Sequence, residues 1–122
     1  MKKILLIIYI SIPFLVSCQE INDKNTKVKF EVSGNCIMCK KRIEKAVLSS
    51  KGIKYASWDI LSKKLTLIYD PRKNSLKNIH KSISNIGHDT SLINASDDAY
   101  NNLPICCLYE RNINDSKEKN PQ

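Results

Sequence analysis

Four cysteines dominate the chemistry this sequence can offer. Cys36 and Cys39 stand three positions apart in "SGNCIMCKKR", and Cys106 and Cys107 are neighbours in "LPICCLYER". As thiolates, such sulfurs bind soft ions: a pair suits two-coordinate Cu(I) or Hg(II), whereas Zn(II) prefers a tetrahedral shell. As a dithiol, the same pair can exchange electrons with a disulfide, Cys36 attacking and Cys39 or Cys106 resolving. Oxidised, it would staple a small exported interaction module that holds no metal. The two residues between Cys36 and Cys39 let both sulfurs converge on one side of a turn. Lys40, Lys41, Arg42 and Lys45 add positive potential, which lowers thiol pKa and favours the metal-binding form.

Adjacent cysteines rarely bridge to each other, because a disulfide wants Cα atoms about 5.5 Å apart and a specific dihedral. Cys106 and Cys107 can instead lend further thiolates to an ion held by Cys36 and Cys39, or form disulfides with that pair. Added thiolates raise coordination from two to three or four. That shift moves the centre from handing Cu(I) on toward holding it, or toward Zn(II).

The compartment follows from the start of the chain. Met1-Lys2-Lys3 is basic, Ile4 to Val16 is almost wholly apolar, and small residues precede Cys18, the pattern of an export signal. The apolar run is short for a membrane span, which needs about 20 residues. "LVSC" resembles the lipobox of bacterial lipoproteins, which implies cleavage before Cys18 and lipid on its sulfur. The chain has five cysteines, so assigning Cys18 to lipid leaves the two pairs. The implied location is the cell envelope, anchored by lipid on the periplasmic or outer side of a bacterial membrane. The chain of 122 residues carries a formal charge of +8, which loses two lysines with the leader. Such a basic surface suits anionic surfaces or acidic partners, and export excludes nucleic acid.

The cysteines need elements to position them. "QEINDKNT" is polar and aperiodic, a tether. In "KVKFEV", Val28, Phe30 and Val32 alternate with Lys27, Lys29 and Glu31, the period of a half-buried strand. Gly34 and Asn35 break it, and Ile43, Ala46 and Val47 then recur at helical spacing from about Met38 until Gly52. Cys36 thus falls on the loop and Cys39 in the first helical turn, where unpaired backbone N–H groups favour a thiolate. "KYASWDI" and "KLTLIY" alternate across a short connection and form a hairpin. Leu76, Ile79, Ile83 and Ile86 mark a second helix capped by Asn74 or Ser75 and ended by Gly87. "TSLI" at 90–93 reads as a closing strand. The fold class is α+β, a ferredoxin-like βαββαβ sandwich with two helices on one face of a four-stranded antiparallel sheet.

From Lys27 to about Ile93 the chain resembles the heavy-metal-associated domain of copper chaperones, copper-pump metal-binding modules and the periplasmic mercury-binding protein. The resemblance rests on "GNCIMC", "IEKA", the hairpin "GIKYASWDILSKKLTLIYDP" and "IGHDT". It implies that Cys36 and Cys39 are metal ligands, with Gly34 standing where the family's loop carries a methionine packed beneath it. His88 occupies the place of a family residue near the metal loop, and as a lone histidine reads as a loop hydrogen-bonder. His80 reads as exposed or satisfied locally. The basic first helix implies docking on a metal-transport partner with an acidic surface. More narrowly, "GNCIMCKKRIEKA" with "AYNNLPICCLYER" resembles small exported heavy-metal-associated proteins of Bacteroidetes-type bacteria.

The chain therefore divides into a leader at 1–17, a tether at 18–26, a heavy-metal-associated domain at 27–95 and an extension at 96–122. In the extension Tyr100, Leu103, Leu108 and Tyr109 are expected to dock on the domain, and the polar end to fray. The expected function is soft-metal binding with Cys36, Cys39, Cys106 and Cys107 as ligands, Cu(I) first and Hg(II) or Zn(II) next. Sequestration or transfer by ligand exchange requires no catalysis.

Overall fold

The computed structural model describes residues 23–111. The leader, most of the tether, Cys18 with its expected lipid, and the chain beyond Arg111 lie outside the described residues. Three strands, β1 (Thr26–Glu31), β2 (Ile53–Trp58) and β3 (Lys64–Tyr69), alternate with helices α1 (Ile37–Leu48) and α2 (Leu76–Asn85). A short helix α3 (Asp97–Asn101) and a 3-10 turn at Ile105–Cys107 follow. The strands pair antiparallel in the order β1-β3-β2.

Side-chain alternation decides which face the helices cover. Val28 pairs with Leu67 and Leu67 with Ala56, while Phe30 pairs with Leu65 and Leu65 with Trp58. Cross-strand partners share a face, so these two rows form one apolar surface. Ile43 and Val47 of α1 and Ile79 and Ile83 of α2 close over it, all fully buried. Burying each such side chain is worth about 1.5–3 kcal/mol. The opposite face carries Lys27, Lys29, Tyr55 and Lys64 into solvent.

The α+β ferredoxin-like class stands, but the fourth strand shrinks to a single bridge between Val32 and Thr90. Thr90 is the reason. Its hydroxyl accepts from the Leu92 and Ile93 amides and donates to the Ile93 carbonyl, while its own amide also bonds that carbonyl. This local hydrogen bonding folds 90–93 into a tight turn that competes with the ladder. The same hydroxyl meets Nδ1 of His80 at 2.7 Å. His80 is buried and stacked on Phe30 with ring centroids 3.9 Å apart, so it is satisfied across the fold and not exposed.

Residues 95–111 form a strap. Ser96 caps α3 through the Ala99 amide, with Asp97 and Asp98 in the first turn. The strap then crosses Gly87, whose φ of +102° and closeness to the Ala99 carbonyl leave no room for a Cβ. Leu103 and Tyr109 are buried and Tyr100 packs on the core, whereas Leu108, expected to dock, is largely exposed. Among the described residues no helix is long and apolar enough to cross a membrane.

Candidate metal centre

Cys36 caps α1. Its backbone is extended, with φ −146° and ψ 171°, and its sulfur accepts from the Cys39 amide at 3.5 Å, the position a serine or aspartate oxygen usually fills. The thiol pair therefore sits where unpaired N–H groups and the positive helix end converge. Cys36 Sγ lies 3.3 Å from Cys39 Sγ. Partial burial pushes the Cys36 thiol up. Hydrogen bonds with the Cys39 amide, the Cys39 and Cys107 sulfurs and the Met38 amide outweigh it and lower the pKa to about 7. Cys39 is fully buried, and its thiol donates to Asn35 Oδ1 at 3.3 Å and accepts from the Asn35 amide at 3.5 Å.

The 3-10 turn brings a third sulfur. Cys107 Sγ lies 3.9 Å from Cys36 Sγ, across 71 positions of sequence. Cys107 is fully buried, and burial, then hydrogen bonds with the Cys39 and Cys36 sulfurs, raise its pKa, so of these thiols Cys36 loses its proton before Cys107. Cys106 is exposed, 3.9 Å from Cys107, and the sulfurs of Cys36, Cys106 and Cys107 all lie within 4.8 Å of one another. The four thiols are free. Cys36 is thus the hub, Cys39 and Cys107 the buried flanks, and Cys106 the outward-facing member. Met38 points to solvent.

The floor of the loop is an indole. Trp58 is fully buried, and a Cβ built on Gly34 would stand 3.0 Å from Trp58 Cη2 and Cζ2 and 3.1 Å from Cys39 Cβ. The ring fills the space beneath the loop, and its Nε1 donates to the Val32 carbonyl at 3.0 Å. Sequence reasoning noted the missing methionine at Gly34 but not its replacement. The available signal was an unusually large residue, Trp58, on the inward face of the hairpin.

His88 braces the loop from the side. Nδ1 meets the Ser33 carbonyl at 2.8 Å, so Nδ1 carries the proton, and the ring stacks on Tyr109 at 5.6 Å. Burial lowers its pKa, and Nε2 is a buried atom with no hydrogen-bond partner. Of the basic run, Lys40 is spent on Glu44 and the Trp58 carbonyl, both at 2.6 Å, and Arg42 on the Ile86 carbonyl at 3.2 Å. Lys41 and Lys45 face solvent.

A polar knot joins strap to loop, and sequence reasoning missed it. Asp89 accepts from the Ser33 amide through its main chain at 2.8 Å, and its own amide donates to the Tyr109 hydroxyl at 2.8 Å. Its carboxylate receives Arg111 bidentately, both contacts 2.8 Å, and the Ala95 amide at 2.7 Å. Arg111 also reaches Asp97 and the Ala95 carbonyl and lies over the Tyr100 ring.

Residues 29–89 match the heavy-metal-associated domain family. A copper-transporting ATPase of Helicobacter felis is 33% identical over 64 residues, 52% of this chain. The chain spans only 9% of that transporter's length. Among solved structures, the CopZ metallochaperone superposes with a TM-score of 0.52 at 23% identity, covering 53% of this chain and 98% of that one. Oxidized MerP from Ralstonia metallidurans CH34 gives 0.53 at 20% identity, covering 55% and 94%. At these identities the superpositions speak for the fold alone.

Proposed function

Because the chain belongs to the heavy-metal-associated domain family, we propose that it binds a soft heavy-metal ion, Cu(I) foremost, through Cys36 and Cys39 with Cys107 as a third sulfur. The observation that carries this reading is the Cys36 sulfur at the head of α1, 3.3 Å from Cys39 Sγ and 3.9 Å from Cys107 Sγ. Three sulfurs around one ion at metal–sulfur distances of about 2.3 Å stand roughly 4.0 Å apart, so the Cys36–Cys107 spacing already fits a trigonal shell. Cys39, 3.3 Å from Cys36, must move to take its place in that shell. Cys106, exposed beside Cys107, completes a four-sulfur set that Zn(II) would use, whereas Hg(II), like Cu(I), needs only the pair.

Transfer proceeds by ligand exchange. A bound Cu(I) keeps its charge, and an incoming thiolate or thioether replaces one protein sulfur at a time, Cys106 and Cys36 being the accessible edge. The relative named for copper transport supports copper as the cargo. Three sulfurs favour retention over hand-off, hence sequestration or slow delivery to a metal-transport partner whose acidic surface meets Lys41 and Lys45. The leader and "LVSC" support a lipid anchor at Cys18 on the cell envelope; mass spectrometry of the cellular protein is expected to find acyl groups on Cys18 and none after Cys18→Ser.

The test is a Cu(I) titration against a chromophoric competitor, using the full reduced chain with Cys18→Ser in detergent micelles. One tightly bound ion is expected, lost with Cys36→Ser/Cys39→Ser and weakened with Cys106→Ser/Cys107→Ser. Equal affinity for that last variant would confine the centre to two sulfurs. A second reading, thiol–disulfide exchange, draws on the same Cys36 thiolate, with a substrate disulfide reduced as Cys36 and Cys39 oxidise. Reduction of a model disulfide by metal-free protein decides for or against it.

A further inference from the structure

The 3-10 turn that delivers Cys107 holds itself weakly. Its backbone bonds are local, from the Cys107 amide to the Pro104 carbonyl and from the Leu108 amide to the Ile105 carbonyl. Ile105 and Cys106 are exposed, and the side-chain contact recorded from the metal loop to the turn's backbone is Asn35 Nδ2 to the Leu108 carbonyl at 3.5 Å. Beyond the buried Cys107 side chain and the Asn35 contact, the position of the turn depends on what holds its two ends.

Support comes from both ends. Upstream, Leu103 is buried against Gly87. Downstream, Tyr109 and Arg111 are tied to Asp89, and Asp89 is also the residue that receives the Ser33 amide at the base of the metal loop. One residue therefore fixes the loop through its main chain and the strap through its carboxylate. The Arg111 and Asp89 side chains are 11% and 14% exposed, so solvent screens their contact less than a surface pair. The parallel fork of two N–H donors on one carboxylate fixes direction as well as distance.

We propose that Arg111, through its fork on Asp89, is the positioning residue that sets Cys107 beside Cys36 and thereby decides whether the centre offers two sulfurs or three. The proposal rests on the reading of Cys107 as a ligand. Arg111 touches no ion; it acts through Leu108, Tyr109 and Glu110, the three residues that separate it from Cys107. Released from Asp89, the strap would leave a two-sulfur loop suited to hand-off, so the same pair governs retention against transfer. Residues that orient a ligand from outside the coordination sphere typically change metal affinity by about 10–100-fold.

The test uses the full reduced chain with Cys18→Ser, loaded with one Cu(I), and compares it with Arg111→Gln, Cys107→Ser and the double variant. X-ray absorption counts sulfur neighbours, and competitor titration reads affinity. Arg111→Gln is expected to lose at least one sulfur neighbour and about 10–100-fold in affinity, and to have no further effect once Cys107 is serine. A full sulfur count in Arg111→Gln overturns the proposal, as does an equal loss in both backgrounds, which would mark a general effect on the fold. If Cys107→Ser itself leaves count and affinity unchanged, the ligand reading fails and the proposal falls with it, a result distinct from the other two. Should Arg111→Gln not fold, Asp89→Asn removes the two-oxygen acceptor of the fork while keeping the main-chain bonds of residue 89 to the Ser33 amide and the Tyr109 hydroxyl. The same loss of a sulfur neighbour is then expected, and its absence overturns the proposal.

Discussion

Gly34→Ala tests whether Trp58 is the floor of the metal loop. The added Cβ would meet Trp58 Cη2 and Cζ2 at 3.0 Å and Cys39 Cβ at 3.1 Å, closer than carbon atoms tolerate at their optimum of about 3.5–4.0 Å. Trp58 is boxed by the core and tied to the Val32 carbonyl, so it cannot swing away without losing that bond. Overpacking of this kind costs about 1–3 kcal/mol, reduced by about 0.4–1 kcal/mol because alanine restricts the unfolded chain. A net loss of roughly 1–2 kcal/mol is expected.

Trp58→Phe removes the offending outer ring atoms. Alone it should cost about 3 kcal/mol, from three lost carbon-sized groups at about 0.8 kcal/mol each and one hydrogen bond of about 1 kcal/mol. In the double variant the steric part of the Gly34 penalty disappears, so the two changes should fall short of additivity by about 1–2 kcal/mol. Urea unfolding followed by circular dichroism measures all three. Additive losses would refute the account, because they would mean that Gly34 and Trp58 do not share the space beneath the loop.

Cys36 should alkylate with iodoacetamide through a midpoint near pH 7, as its lowered pKa of about 7 requires, while buried Cys107 stays unmodified; peptide mass spectrometry reads both, and a midpoint near the ordinary thiol value of about 8.5 would contradict the hydrogen-bond account. Arg72 holds the Asp70 carboxyl well below the usual carboxylate range through paired hydrogen bonds. A carboxyl depressed in the folded state stabilises it above the ordinary pKa of about 3.9 and loses that contribution as pH falls below it. Asp70→Asn should therefore show a shallower drop in thermal midpoint on acidification below about pH 4, and an unchanged slope would exclude the pairing. Ile43→Ala, in the centre of the core, should cost about 2–5 kcal/mol by denaturant unfolding; a loss below about 1 kcal/mol would mean the α1 face is not packed as described.

The cysteine pair, its place at a strand-to-helix turn and the elements on either side of it were legible in the sequence, because each depends on residues within a few positions. Alternation at Val28 and Phe30 and the three-to-four spacing from Leu76 to Ile83 report which face of an element is apolar, and β1, α1, the hairpin and α2 form where those periods lie. The closing strand was not legible, since a period-two stretch cannot show that the Thr90 hydroxyl will draw its own neighbours into a turn.

Tertiary structure alone decided the partners across the chain. Apolar residues in the extension marked it as a docking segment, yet which of them is buried depended on where the strap crosses Gly87, so Leu103 went in and Leu108 stayed out. The place of Trp58 under Gly34, the fork of Arg111 on Asp89 and the approach of Cys107 to Cys36 join residues distant in sequence. No local propensity encodes such contacts. They form only when packing has closed the intervening loops and made their ordering entropy worth losing.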